Sequence, residues 1–357
     1  MVTCGVLGLF IGLRWGSDAI PSRIGLEAPL IFAGLVVAVV FHVVIHEAGH
    51  LLFGRLTGYR FVSIRFGSWV WIKSGGRVRL RRYHLAGMQG QCLMAPPEPL
   101  DPKSGQIPFA LYNLGGPIVN LAVGGLAGAL CFAAPSDSAL FLVLAEIAGV
   151  GLLLGLLNGI PLRFGLAPND GQNALEMAGE TGEPSRRAFS TTLKMHELAA
   201  EGIRLRDMPA EWFAAPPGAD AALAASLDVY RCDRLLDMLE FEAAAAQIKQ
   251  VLESGVALAG LHRLLLTVQS VYCEAVGANR APVVNQLLTK EVRRFMKSMR
   301  RYPAVLRANY ALAWLVDKDP VAAARAEKEF ERVAAKYPYA GEIASERELI
   351  AHAKTLS

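Results

Sequence analysis

Residues 29–54 read PLIFAGLVVAVVFHVVIHEAGHLLFG, an apolar run in which Glu47 is the only charge and stands between His46 and His50. About 20 mainly apolar residues cross a hydrocarbon core of about 30 Å as a helix, so this run is long enough to span a membrane. Two histidines and a glutamate are expensive at that depth, and polar groups placed there carry function. Histidines at i and i+4 leave a helix on one face and can hold one Zn²⁺. The glutamate between them is placed to take a proton from a metal-bound water, whose pKa falls to about 7. A polar patch used only for helix packing is the plainer alternative.

Working outward, two further runs qualify as spans. Residues 107–135 carry no charge, and residues 138–162 carry only Glu146. The apolar run at residues 2–13 is too short to span and is expected to be an interfacial strand or a re-entrant piece, and it lacks the basic leader and cleavage pattern of a signal peptide. Residues 1–170 hold 20 charged side chains, whereas the remaining 187 hold 48. A soluble domain carries about 25% charged residues, so the back part matches that composition and the front does not. The five cysteines are odd in number, scattered and without CxxC spacing, which excludes a disulfide framework or a cysteine zinc site.

Between the first two spans, residues 61–72 alternate, with Val62, Ile64, Phe66, Val70 and Ile72 expected on one face. Lys73-Ser74-Gly75-Gly76 supplies a turn, and Arg77-Val78-Arg79-Leu80-Arg81 alternates again. This predicts a β-hairpin over 61–82 with a greasy face and a basic face, suited to an anionic membrane surface. Its edge is expected to hold an unwound substrate stretch by strand addition. Eight basic and no acidic residues lie between Leu51 and Pro97. Beside an apolar helix such a block reads as a cytoplasmic juxtamembrane segment rather than a nucleic-acid site. The first span therefore ends inside, the second runs outward and the third returns, which brings the end of the first, the start of the second and the end of the third to one side.

A zinc site needs a third protein ligand. A metzincin extension is excluded by Phe53 and Leu56, and the first acid after the motif is Glu98. Candidates are Glu98, Glu146 and Asp170. Glu146 precedes Asn158 by about 18 Å of helix, towards the wrong side. Asp170, in Pro168-Asn169-Asp170-Gly171 after the third span, is the one that topology selects. His42 and His50 are separated by about 12 Å of rise, too far to share an ion, so His42 is expected to bond between helices or serve a water path.

With HEAGH in the first span, Gly115-Gly116-Pro117-Ile118-Val119-Asn120 opening the second, and Asn158-Gly159-Ile160-Pro161 with Asn169-Asp170-Gly171 closing the third, the front part resembles the site-2 protease family of intramembrane zinc metalloproteases. The resemblance covers roughly residues 1–175. It implies that His46, His50 and Asp170 bind zinc, that Glu47 is the general base, and that the home is a bacterial plasma membrane. Twelve residues separate Asn158 from Asp170, a longer gap than in many members. Asn120 and Asn158 are candidates to hold substrate backbone or the developing oxyanion, with interhelical hydrogen bonds as the alternative.

The expected architecture is mainly α: residues 1–178 form a membrane-embedded zinc metalloprotease domain, 179–220 a linker with connecting helices, and 221–357 a cytosolic helical domain resembling tetratricopeptide repeats. Helical spacing predicts helices near 221–239, 242–253, 261–276, 282–299, 305–316 and 320–337, and Ala326, Phe330 and Pro338 fall where such a repeat places them. The expected partners are a transmembrane protein substrate, the lipid bilayer and a protein bound by the helical tail, with no nucleic acid. Two competing readings are an inactive membrane scaffold and a membrane-bound zinc peptidase for soluble peptides, the latter with Glu98 as ligand.

Overall fold

The computed structural model describes residues 20–82, 90–97, 107–136, 138–164, 167–255, 258 and 260–356. The expectation for residues 2–13 and the candidate ligand Glu98 lie outside the described residues. Helices dominate, with one four-stranded antiparallel sheet and one two-stranded pair among the described residues. Two compact units emerge, one made of the three long apolar helices with the segment after them, the other of the sheet and the remaining helices.

In the first unit, α1 (Ile20–Leu56), α2 (Phe109–Cys131) and α3 (Ala139–Gly159) pack against one another. Three stretches, Ala28–Leu56, Phe109–Cys131 and Ala139–Gly159, are long and apolar enough to cross a membrane. Their outer surfaces carry exposed Leu30, Phe32, Val37, Val40, Leu126 and Leu140. A surface this greasy is unfavourable in water and suits a hydrocarbon surround. Ser138 starts α3, its side chain accepting from the Phe141 amide. After α3 come two-residue strands, β5 (Arg163–Phe164) and β6 (Ala167–Pro168), and the short helix α4 (Asp170–Glu176).

In the second unit, β1 (Arg60–Phe66), β2 (Trp69–Ser74), β3 (Arg77–Arg82) and β4 (Gly90–Ala95) form a sheet of order β3-β2-β1-β4. The hairpin expected over 61–82 is therefore three strands, because a second turn interrupts it at Gly67, which adopts φ +57. That turn corrects the single-face reading. Phe66 pairs with Trp69 and Ile64 with Trp71, while Arg65 pairs with Val70 and Ser63 with Ile72. Directly paired residues share a face, so Ile64 and Phe66 lie opposite Val70 and Ile72. The buried face holds Ser63, Arg65, Val70, Ile72 and Leu93, and Trp69, Trp71, Val78 and Leu80 remain exposed. The turn at Gly75-Gly76, both at positive φ, forms where the sequence placed it.

The sheet packs on α5 (Glu183–Ala200). Arg60 donates to Glu197 at 2.9 Å, and the Gly75 amide donates to Glu201 at 2.9 Å. The sheet thus groups with the C-terminal helices, where the sequence had assigned it to the membrane domain. Beyond α5 run α6 (Ala221–Asp237), α7 (Phe241–Glu253), α8 (Gly260–Val276), α9 (Ala281–Leu287), α10 (Lys290–Ser298), α11 (Pro303–Ala311), α12 (Pro320–Ala334) and α13 (Ala340–Thr355). The single helix expected over 282–299 is two, because Thr289 caps a new start by accepting from the Val292 amide.

The core of these helices gathers Leu236, Ile248, Leu266, Tyr272, Phe330 and Leu349 around a buried arginine. Arg307 stacks over the Tyr272 ring at 4.2 Å, pairs with Glu346 and donates to the Gln269 side-chain oxygen. Burial pushes Asp233 up to about 7 and Glu342 up to about 8, and pushes His196 down to about 4. The two acids keep protons that the unfolded chain has already lost, so their stabilisation disappears as pH rises through 7 and 8. His196 acts in the opposite direction, but only as pH falls below its ordinary 6.5. Lowering pH from about 8 to about 6.5 should therefore stabilise this unit by on the order of 2 kcal/mol. Amide exchange of α8 and α13 in the full chain reads this directly, and protection that is flat or falls over that window contradicts it.

Candidate metal centre

His46 and His50 lie one helical turn apart near the end of α1, with Nε2 atoms 3.2 Å apart. Asp170, the first residue of α4, brings Oδ2 to 3.1 Å from His46 Nε2 and 3.7 Å from His50 Nε2. Among the described residues this is the one group of three side chains able to share a metal ion. Four ligands at about 2.0–2.1 Å on a tetrahedron stand about 3.3 Å from one another, and these three separations bracket that value. Two neutral imidazoles and one carboxylate leave a fourth corner for water or a carbonyl. The donor set fits a divalent ion.

Hydrogen bonds set the histidine tautomers. His50 Nδ1 donates to the Tyr112 carbonyl at 2.8 Å, which leaves the Nε2 lone pair free for a metal. The Asn120 amide sits between His46 Nδ1 at 3.2 Å and His42 Nδ1 at 3.1 Å, and His42 Nε2 donates to the Ile147 carbonyl at 2.9 Å. When His46 offers Nε2 to a metal, its Nδ1 carries the proton and needs an acceptor. Asn120 is placed with Nδ2 towards His46 Nδ1 and Oδ1 towards His42 Nδ1; exchanging these two near-isosteric amide atoms lets each donor in the chain meet an acceptor.

Asn120 is therefore engaged by histidines and is 1% exposed. These bonds join α1 to α2, the interhelical role that stood as the alternative. Asn158 donates from Nδ2 to the Leu154 carbonyl of its own helix at 3.0 Å, so its amide nitrogen is also in use. His42 takes the interhelical bonding that its spacing suggested. Glu47 is buried on α1 beside the two ligands in sequence. Glu146 lies against Gly34, where an added Cβ would meet its carboxylate at 2.0 Å, and so it sits about 18 Å along α1 from His46.

Asn169 was quoted in the sequence only as part of the Asn169-Asp170-Gly171 motif, yet its side chain positions the segment that carries Asp170. Its Nδ2 donates to the Leu157 and Ile160 carbonyls at 2.6 and 2.7 Å, satisfying the open end of α3. Its Oδ1 accepts from the Leu162 amide at 3.1 Å and from the Gln172 amide at 2.8 Å, which caps α4. One buried side chain thus joins the end of α3 to the start of the helix that carries Asp170. The signal available was an Asn directly before Asp170, a residue type suited to cap a helix that starts there. Gly171 completes the join, since a Cβ there would stand 2.2 Å from the Gly159 carbonyl oxygen.

No protein-family model matches the chain, and no curated protein or solved structure matches it. The site's chemistry accordingly rests on its own geometry.

A second glycine makes the site testable. A Cβ on Gly116 would stand 2.6 Å from Cε1 of His46, so Gly116→Ala must displace the ring, whereas nothing lies within 4 Å of a Cβ on Gly125. Gly116→Ala should weaken metal binding about 10- to 100-fold, and Gly125→Ala should leave it unchanged. Chelator competition on the purified full chain measures both, and equal affinities would remove His46 from the ligand set.

Proposed function

We propose that this protein is an intramembrane zinc endopeptidase, similar to the site-2 proteases, that hydrolyses a peptide bond in or near a transmembrane segment of another membrane protein. The observation that carries the reading is the meeting of His46, His50 and Asp170 with ligand atoms 3.1–3.7 Å from one another, in a unit built from three helices with lipid-compatible surfaces. Metal ligands and a buried glutamate are costly in such a setting unless they perform chemistry.

His46, His50 and Asp170 would hold the zinc, which when bound lowers the pKa of a coordinated water to about 7 and polarises the scissile carbonyl. Glu47 takes the proton from the attacking water and returns it to the departing amide nitrogen. Asn120 fixes the His46 tautomer, and Asn169 keeps the Asp170 carboxylate in place. The edge of β3, unpaired among the described residues and nearly all exposed, suits strand addition by an unwound substrate. The basic residues following α1 favour an orientation with that segment and the C-terminal helices in the cytoplasm. A repeat-like role for those helices in binding a protein partner is supported by Ala326, Phe330 and Pro338.

Glu47→Gln and Asp170→Asn separate this reading from an inactive scaffold. Glu47→Gln should retain stoichiometric zinc and lower cleavage of a co-expressed single-pass reporter by about 10²–10⁴-fold. Asp170→Asn should lose zinc and activity together. Metal analysis beside reporter immunoblotting measures both. A wild-type chain that binds zinc but gives the same reporter pattern as Glu47→Gln supports the scaffold.

A further inference from the structure

The unit formed by the sheet and α5–α13 contains a cavity of about 400 Å³, a volume in the range of small-ligand sites. Among the described residues, two acids on its walls make no salt bridge to a cation, although the Arg307 charge is felt by both. Asp233 on α6 accepts from the Gln269 side-chain amide at 2.9 Å, and Glu342 on α13 accepts from the Tyr337 hydroxyl at 2.8 Å. The arginines on the same walls are engaged with other groups. Arg307 pairs with Glu346, Arg204 with Asp237 and Glu348, and Arg65 donates to Gln91.

Each class of ligand can be weighed against this lining. A single metal ion would need the carboxylates to converge with other ligand atoms, and among the described residues only His46, His50 and Asp170 do so. An anion would face four acids, Asp233, Asp237, Glu342 and Glu346. A wholly apolar guest would cover two carboxyl groups that have one neutral partner each, which is costly. An ammonium or guanidinium on an apolar stem satisfies the acids and lies along Leu205, Leu236, Leu265 and Tyr302.

We propose that this cavity binds an organic cation, an ammonium or guanidinium group seated against Asp233 and Glu342.

The charged groups around the two acids are consistent with that. Arg307, Glu346 and Asp237 act on Asp233, while Glu346, Asp233 and Arg307 act on Glu342 beside its Tyr337 bond. Burial first, and then repulsion from neighbouring acids, pushes Asp233 up to about 7 and Glu342 up to about 8, so near pH 8 carboxylate is present for a cation to meet. His196 and His262 line the same walls, and burial holds both below their usual range, so at neutral pH they add no competing charge.

Free amines and the basic side chain of a partner peptide share this chemistry. Calorimetry on the full chain in detergent, near pH 8, distinguishes them with two probes, agmatine and acetyl-Gly-Lys-Gly-amide, and with the norleucine analogue of the peptide as neutral control. We expect one or both cations to bind with submillimolar affinity and the norleucine peptide not to bind. Tighter binding of agmatine points to a small-molecule amine, and tighter binding of the lysine peptide to a protein partner. Asp233→Asn and Glu342→Gln remove charge at constant size, and each should weaken the bound probe about tenfold or more while zinc content and helical circular dichroism stay unchanged. No binding of either cation to the wild-type chain, equal binding of the norleucine peptide, or unchanged affinity in both variants would overturn the proposal.

Discussion

Three ligand atoms can serve one ion only if the segments bearing them come within about 3–4 Å of each other, and in this chain that approach is set where α3 ends. The last carbonyls of α3 have no helical partners, and Asn169 supplies donors to two of them while capping α4. Gly171 lets the α4 backbone lie directly on Gly159. The carboxylate of Asp170 is therefore placed by backbone hydrogen bonding and close packing rather than by its own side-chain contacts. On α1 the equivalent task is divided between Tyr112, which orients His50, and Asn120, which orients His46.

Three helices long and apolar enough to cross a membrane would face lipid, and that setting would call for such over-determination. Apolar helices gain little from burying greasy surface against one another when lipid is the alternative, so small residues and interhelical hydrogen bonds carry the association. Gly49 and Gly115 illustrate the first, each leaving room for the other's backbone. The His42–Asn120–His46 chain illustrates the second, joining α1 to α2 and reaching a carbonyl of α3. Polar groups that would be a liability elsewhere thus hold the helices together and fix the histidine tautomers at the same time.

Much of this was legible in the sequence, and the remainder failed for identifiable reasons. The three apolar helices follow from length and charge alone, and the choice of Asp170 over Glu146 followed from counting helical rise. The sheet was misread because alternation across residues 61–72 looks continuous until Gly67 is recognised as a turn that reverses the chain and exchanges the faces. Its grouping with the C-terminal helices depends on Arg60, Glu197, Gly75 and Glu201, pairs more than a hundred residues apart that no local pattern announces. Asn120 and Asn158 were left between substrate contact and interhelical bonding, since an asparagine near a motif carries no sign of whether its amide is already engaged. The cavity beside Asp233 and Glu342 was invisible for the same reason, because its walls come from elements scattered through the chain.

X-ray absorption at the zinc edge of the purified, full-length protein tests the central claim most directly. A shell of two imidazole nitrogens with carboxylate and water oxygens at about 2.0–2.2 Å is the expected result, with the carboxylate contribution lost in Asp170→Asn. Absence of bound zinc, or a shell that Asp170→Asn leaves untouched, would contradict it.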